Sequence, residues 1–123
     1  MNSLDSRPKT IICDIDGTLI THTNPYDIAT NKSTPILLEG TKDKLMEWEK
    51  KGYNLILLTG RKESLRTITE TQLSKSGIFY DQLIMGVGGG KRYLINDRKP
   101  NGEEDYAIAI NLERNKGIKN LDI

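Results

Sequence analysis

Of 123 residues only one is cysteine and one histidine. A lone Cys13 cannot close an internal disulfide, which fits a reducing compartment and predicts a cytoplasmic protein. Cys13 also lies within an apolar run, where a free thiol behaves as a small buried hydrophobe rather than a reactive group. No apolar stretch is long enough to cross a bilayer, so no membrane partner is expected. The start of the chain, Met1–Lys9, is polar and lacks a signal-peptide core. Charge of one sign is also missing: 18 Lys and Arg stand against 17 Asp and Glu, a net charge of +1. These charges are spread along the chain, so nothing marks it as a nucleic-acid binder, and no nucleic-acid partner is expected. Internal repeats are absent, and the one biased segment is the glycine cluster at 86–90. The length suits a single domain, 1–123, with a real core.

What the chain does have is Asp14-Ile15-Asp16-Gly17-Thr18 at the end of the run Thr10-Ile11-Ile12-Cys13. A short β-branched run bounded by a glycine turn reads as a buried strand. Residues 14 and 16 of an extended chain point the same way, so both carboxylates face one site where the strand ends. Ligands of parallel α/β sheets collect there. Like charges held so close repel, and a bound metal, or a division into nucleophile and acid, relieves the repulsion. The competing reading is a surface turn rich in Asp and Gly, which would not need the apolar strand before it.

Further along, Leu19–Leu38 is polar and contains Pro25 and Pro35. A helical pattern covers Thr41–Lys51, with Leu45, Met46 and Trp48 as its apolar face and Gly52 as its stop. Tyr53–Leu58 reads as a second buried strand, ending at Thr59-Gly60-Arg61. A second helix spans about Lys62–Ser76, and Gly77 follows it. Gln82–Met85 is a third strand, Arg92–Asn96 a fourth ending at Asp97, and Tyr106–Leu112 a fifth. The remainder, Glu113–Ile123, is expected to fray or to form one short helix. Strands alternating with helices imply right-handed crossovers and a doubly wound, Rossmann-like parallel sheet covered on both faces. The notable polar residues, Asp14, Asp16, Thr59, Lys91 and Asp97, all fall at strand ends.

These residues resemble the motifs of the haloacid dehalogenase superfamily of phosphohydrolases. Asp14-Ile15-Asp16-Gly17-Thr18-Leu19 is similar to its first motif and Leu58-Thr59-Gly60-Arg61 to its second, while Lys91 and Asp97 stand in the order and spacing of the third and fourth. The resemblance covers about 10–112 and implies a five-stranded sheet of order 3-2-1-4-5. The gaps after the first motif and before the third are too short for the cap domain that many relatives carry. It also implies a mechanism, in which Asp14 attacks the phosphoryl group and forms an aspartyl-phosphate. Asp16 would act as general acid and then base. Thr59 would donate to a phosphoryl oxygen, Lys91 would neutralise charge there, and Gly60 and Arg61 would line the substrate. Mg²⁺ would be held by Asp14, the Asp16 carbonyl and Asp97. The family commonly has two acids in the fourth motif, whereas this chain has Asn96-Asp97.

Each role has a plainer alternative. For Thr59 it is a simple cap on the next helix. For Lys91 it is a solvated charge, with Arg92 and Lys99 as substitute cations. For Arg61 it is a pairing with a helix carboxylate instead of substrate, and for Asp97 a place in a turn. His22, in a loop, reads as solvated. Gly86-Val87-Gly88-Gly89-Gly90-Lys91 lacks the Ser or Thr of a phosphate loop and opens no helix, so it reads as a flexible segment delivering Lys91. A small phosphorylated metabolite, such as a sugar phosphate, is the first expectation for the substrate. Alternatives are a receiver-like module or a catalytically silent binding unit of the same fold. A homo-oligomer is expected as a source of cover for the open site.

Overall fold

The computed structural model describes residues 5–32, 34–100 and 104–123, so Met1–Leu4 of the polar N-terminal stretch lies outside it. Three strands form one parallel sheet: β1 (Thr10–Asp14), β2 (Asn54–Leu58) and β3 (Gln82–Ile84), in the order β1-β2-β3. The register pairs Asp14 with Leu58 and Leu58 with Ile84. All three strands therefore end level, and the loops leaving their carboxyl ends share one rim of the sheet.

Among the described residues the helices are α1 (Pro25–Ala29), α2 (Thr41–Lys50) and α3 (Arg66–Lys75), the last preceded by a 3₁₀ turn at Glu63–Leu65. The sequence pattern anticipates α2 and α3 but not α1. Its signal was nonetheless there: Asn24 accepts a cap bond from the Asp27 N–H at 2.9 Å, and Pro25 occupies the first helical position. On α2, Thr41, Leu45 and Trp48 are buried, a spacing of four and three residues that traces one face, while Met46 turns outward. Gly52 follows α2 at φ +74°, a conformation that a residue with Cβ adopts at a cost.

The strands alternate. Ile11, Cys13, Leu55 and Leu57 point into a core shared with Leu45 and Trp48 of α2 and Leu73 of α3. Ile12, on the opposite face of β1, is 48% exposed. Both helices thus cover one face, and topology explains why. Two right-handed crossovers that step in the same direction along a sheet put their helices on the same side. The other face would be covered only if the chain returned to the free edge of β1 and wound the opposite way.

Among the described residues it does not return there. The expected strands at Arg92–Asn96 and Tyr106–Leu112 have no regular structure, and Ile95 is 92% exposed. A strand needs a ladder partner as well as an apolar pattern, and among the described residues β1 pairs only with β2. Contacts local to the stretch take the place of a ladder: Arg98 pairs with Asp105 at 2.8 Å, and Lys99 stacks on Tyr106 at 4.8 Å. Tyr106 also donates its hydroxyl to Asp5, whose carboxylate is held well below its ordinary range by Arg7. The observed architecture is a parallel α/β sheet of the Rossmann-like class with the 3-2-1 half of the expected order. The doubly wound second half is absent from the described residues.

The C-terminal segment corrects a further expectation, since it neither frays nor forms a helix. Ile118 is 1% exposed within the core, with Leu121 and Ile123 packed against the same cluster. The Ile118 N–H donates to the Glu39 carbonyl at 2.9 Å. A Cβ on Gly117 would lie 2.2 Å from that same carbonyl oxygen, so glycine is needed for the close approach.

Candidate active site

The turn after β1 is tight. The Ile15 carbonyl accepts from the N–H groups of Thr18, Leu19 and Ile20, and Gly17 at φ +84° donates back to the Ile20 carbonyl at 2.7 Å. Ile15 and Leu19 are fully buried and anchor the turn from below. The two acids are thereby left at the mouth, in different surroundings. The Asp14 side chain is 40% exposed and faces Arg92, whose Nη1 lies 3.6 Å from Oδ1. Its Oδ2 accepts from the Thr18 hydroxyl at 3.2 Å. Asp16 is gripped from behind: Arg61 donates Nε to Oδ2 at 2.9 Å and Nη2 to Oδ1 at 2.7 Å. This fork-on-carboxylate geometry fixes both position and plane.

The Arg61 side chain is only 3% exposed, so its remaining donors need partners. Nη1 supplies Thr69 Oγ1 at 3.1 Å and Gln72 Oε1 at 2.8 Å, both on the buried side of α3. Arg61 is therefore committed to Asp16 and α3, not to a helix carboxylate and not to open solvent where substrate would arrive. An arginine inside a loop motif gives no hint of this, but Thr69 and Gln72, three residues apart on one helix face, are its sequence signal.

Thr59 is buried at the end of β2, and its Oγ1 accepts from the Arg61 N–H at 3.1 Å. Accepting uses a lone pair and leaves the hydroxyl proton available to a ligand, while neither the 3₁₀ turn nor α3 takes a side-chain cap, so Thr59 does not cap the next helix. The glycine segment leans on the same loop. Gly86 and Val87 donate to the carbonyls of Arg61 and Thr59 at 2.7 and 3.1 Å. A Cβ on Gly60 would meet the Gly88 oxygen at 3.1 Å, and that carbonyl in turn accepts from Arg92 at 3.4 Å. The cation set against Asp14 is thus Arg92, while the neighbouring Lys91 is exposed to solvent.

Cys13, just before Asp14, has its thiol pushed up to about 12 by burial, with the Asp14 charge adding to the effect. It stays protonated at neutral pH and takes no part as a nucleophile.

A metal site is less complete. Asp97 is exposed, and its carboxylate lies 3.9 Å from Lys99 Nζ. Asn96 donates to the Asp97 carbonyl at 3.1 Å. No group of three Asp, Glu, His or Cys side chains suited to a metal comes together among the described residues. The donor set expected for Mg²⁺ is therefore not gathered into such a group among the described residues.

Two acids leaving β1 beside a Thr-Gly-Arg leaving β2, on a parallel sheet, make this chain a phosphohydrolase-fold protein of the haloacid dehalogenase superfamily. Within that class, residues 8–98 match the polynucleotide kinase PNKP phosphatase domain, and the chain belongs to that family. Among solved structures it is similar to a chain in a Pnkp1/Rnl/Hen1 complex, with 36% identity over 70% of this chain and a TM-score of 0.57. A second such structure, of the Pnkp1/Rnl/Hen1 RNA repair complex, gives 37% identity over 69% of the chain and a TM-score of 0.56. This chain spans only 30% and 28% of the length of those two proteins. A Vibrio cholerae protein of known crystal structure shares the fold, at 21% identity over 82% of this chain and 89% of its own, with a TM-score of 0.51. No curated protein sequence matches the chain.

Proposed function

We propose that the chain is a phosphomonoesterase acting on the phosphorylated end of a polynucleotide, with Asp14 as the group that takes the phosphoryl. The observation that carries this reading is the unequal setting of the two acids. Asp14 lies open at the mouth with a guanidinium facing it, whereas Asp16 is locked by Arg61 in one orientation. A nucleophile must reach phosphorus, and an acid–base group must be held still.

In the first step an Asp14 oxygen bonds to phosphorus, the bond to the leaving oxygen breaks, and Asp16 passes that oxygen a proton taken from solvent, carried on a carboxylate lone pair that Arg61 leaves free. Water then attacks the phosphoryl group, Asp16 takes a proton from it, and phosphate leaves with Asp14 restored. Arg92 offsets charge on the phosphoryl oxygens, and the Thr59 hydroxyl donates to one of them. Lys91 is the neighbouring cation for the same task. Mg²⁺ would supply charge neutralisation to this chemistry, held by Asp14, the Asp16 carbonyl and Asp97, but no group of three such side chains comes together among the described residues, so no step is derived through it.

The proposal of a polynucleotide end rests on the family and on the RNA repair complex that contains a similar chain. It revises the sequence-based expectation of no nucleic-acid partner. A small phosphorylated metabolite is the second reading, favoured by the net charge of +1, which offers little pull on a phosphate backbone. Phosphate release should be compared, with Mg²⁺ supplied, on oligoribonucleotides phosphorylated at the 5′ or the 3′ end and on a panel of sugar phosphates. A kcat/KM higher for an oligonucleotide supports the first reading, and a clear preference for a sugar phosphate supports the second. Release from neither contradicts the phosphatase assignment.

A further inference from the structure

The C-terminal segment reaches the catalytic turn through Asn115. Its backbone N–H donates to the Gly17 carbonyl at 2.8 Å, and its side-chain Oδ1 accepts from the His22 N–H at 2.8 Å. One residue thus joins both sides of the loop that leaves the Asp14–Thr18 turn, across 93 positions of sequence. Asn115 does so at φ +62°, a left-handed conformation that asparagine tolerates better than most residues. Arg114 completes the contact: a Cβ on Gly17 would lie 3.1 Å from its Cγ, so its stem rests on the turn. The anchor for this arrangement is separate from it. Ile118 in the core, and Gly117 and Lys119 against Glu39 and Gly40, hold the segment whether or not Asn115 is present.

We propose that Asn115 is a positioning residue for the catalytic turn, clamping Gly17 and His22 so that Asp14 and Asp16 keep their relative placement. The claim rests on Asp14 being the phosphoryl acceptor, and it has a structural half that does not depend on turnover. Gly17 has one backbone bond of its own within the turn, to the Ile20 carbonyl. On the outer side, the turn is tied down by Asn115. A small drift of a nucleophile relative to its acid is costly in rate, although it leaves substrate affinity largely alone.

Asn115→Gly keeps the backbone N–H and accepts a positive φ, but deletes the acceptor for His22. Asn115→Asp keeps an acceptor oxygen at the same place. Both are measured in the full chain for thermal unfolding, for kcat and KM on the best phosphorylated substrate, and for amide hydrogen exchange. For Asn115→Gly the His22 amide should exchange roughly two- to tenfold faster, as loss of one hydrogen bond implies. Its kcat should fall about tenfold to a hundredfold with KM little changed. Asn115→Asp should restore both. Unchanged kcat in Asn115→Gly overturns the proposal, and so does a kcat loss that only follows the folded fraction, or one that appears without faster exchange at His22. A wild-type chain that hydrolyses nothing sinks the phosphatase reading alone. The clamp is then judged on exchange, and unchanged protection at His22 in Asn115→Gly overturns it.

Discussion

Residues 10–85 and residues 91–112 both carry apolar strand-like runs, yet among the described residues only the first region folds into a sheet. In the first, each run has a neighbour: β1 lies on β2, β2 on β3, and the connecting helices bury one face of all three. In the second, Tyr93, Leu94, Ile95, Ile108 and Ile110 are exposed, and among the described residues β1 pairs with β2 only. Apolar content alone does not place a segment. A parallel ladder is extended only where a crossover returns the chain to an edge, and the long loop needed for that return has an entropic cost that only the formed ladder repays. The two halves of the site follow the two regions. Asp14, Asp16, Thr59 and Arg61 converge because level strand ends bring them together, whereas Asp97, from the second region, is exposed and faces Lys99.

The largest effect that would break this comparison lies in the first region. Arg61→Ala leaves the Asp16 carboxylate, Thr69 and Gln72 without their partner, and should cost about 3–5 kcal/mol, read by denaturant unfolding. A loss under about 1 kcal/mol would mean that Arg61 does not hold the first-region half of the site together. Next is a pair of isoleucines. Ile118→Ala should cost about 2–5 kcal/mol because the side chain is core. Ile95→Ala should stay within about 0.5 kcal/mol because the side chain is solvated. Equal costs would show that 92–96 packs in solution as a strand does.

A finer contrast is between adjacent cations. Arg92→Ala should lower kcat/KM about a hundredfold and Lys91→Ala much less, if the guanidinium facing Asp14 is the one that meets the phosphoryl group. The opposite ranking would mean that the segment shifts register when substrate binds. The smallest effect concerns Cys13. Its thiol is ordinarily near 9 and is pushed up to about 12 in the fold. A raised value contributes stability that is present below about 9 and is lost as pH rises toward 12. Alkylation at pH 8 should accordingly be slow in the native protein and fast in denaturant.

Much of this was legible in the residues. Thr10–Asp14 and Tyr53–Leu58 combine continuous apolar character with a turn at the end, so both strands and both motifs could be read from local pattern. Gly52 and Gly77 marked the helix ends for the same reason. Three features could not be read in this way. The fate of Arg92–Asn96 and Tyr106–Leu112 depends on a distant edge, which local periodicity does not report. The commitment of Arg61 to Asp16 depends on a helix face eight to eleven residues away. The docking of Ile118 depends on a turn at Glu39–Gly40 on the far side of the sequence, which the short, mostly polar tail Glu113–Ile123 does not report.

The central claim is that the open acid, Asp14, takes the phosphoryl group. Rapid acid quenching of the wild-type protein during turnover of a phosphorylated substrate, with peptide mapping of the quenched chain, tests it most directly. The account predicts a phosphoryl adduct on the peptide that carries Asp14, absent in Asp14→Asn, which should remain folded and inactive. Undiminished turnover in Asp14→Asn, or an adduct mapped to any other residue, would contradict it.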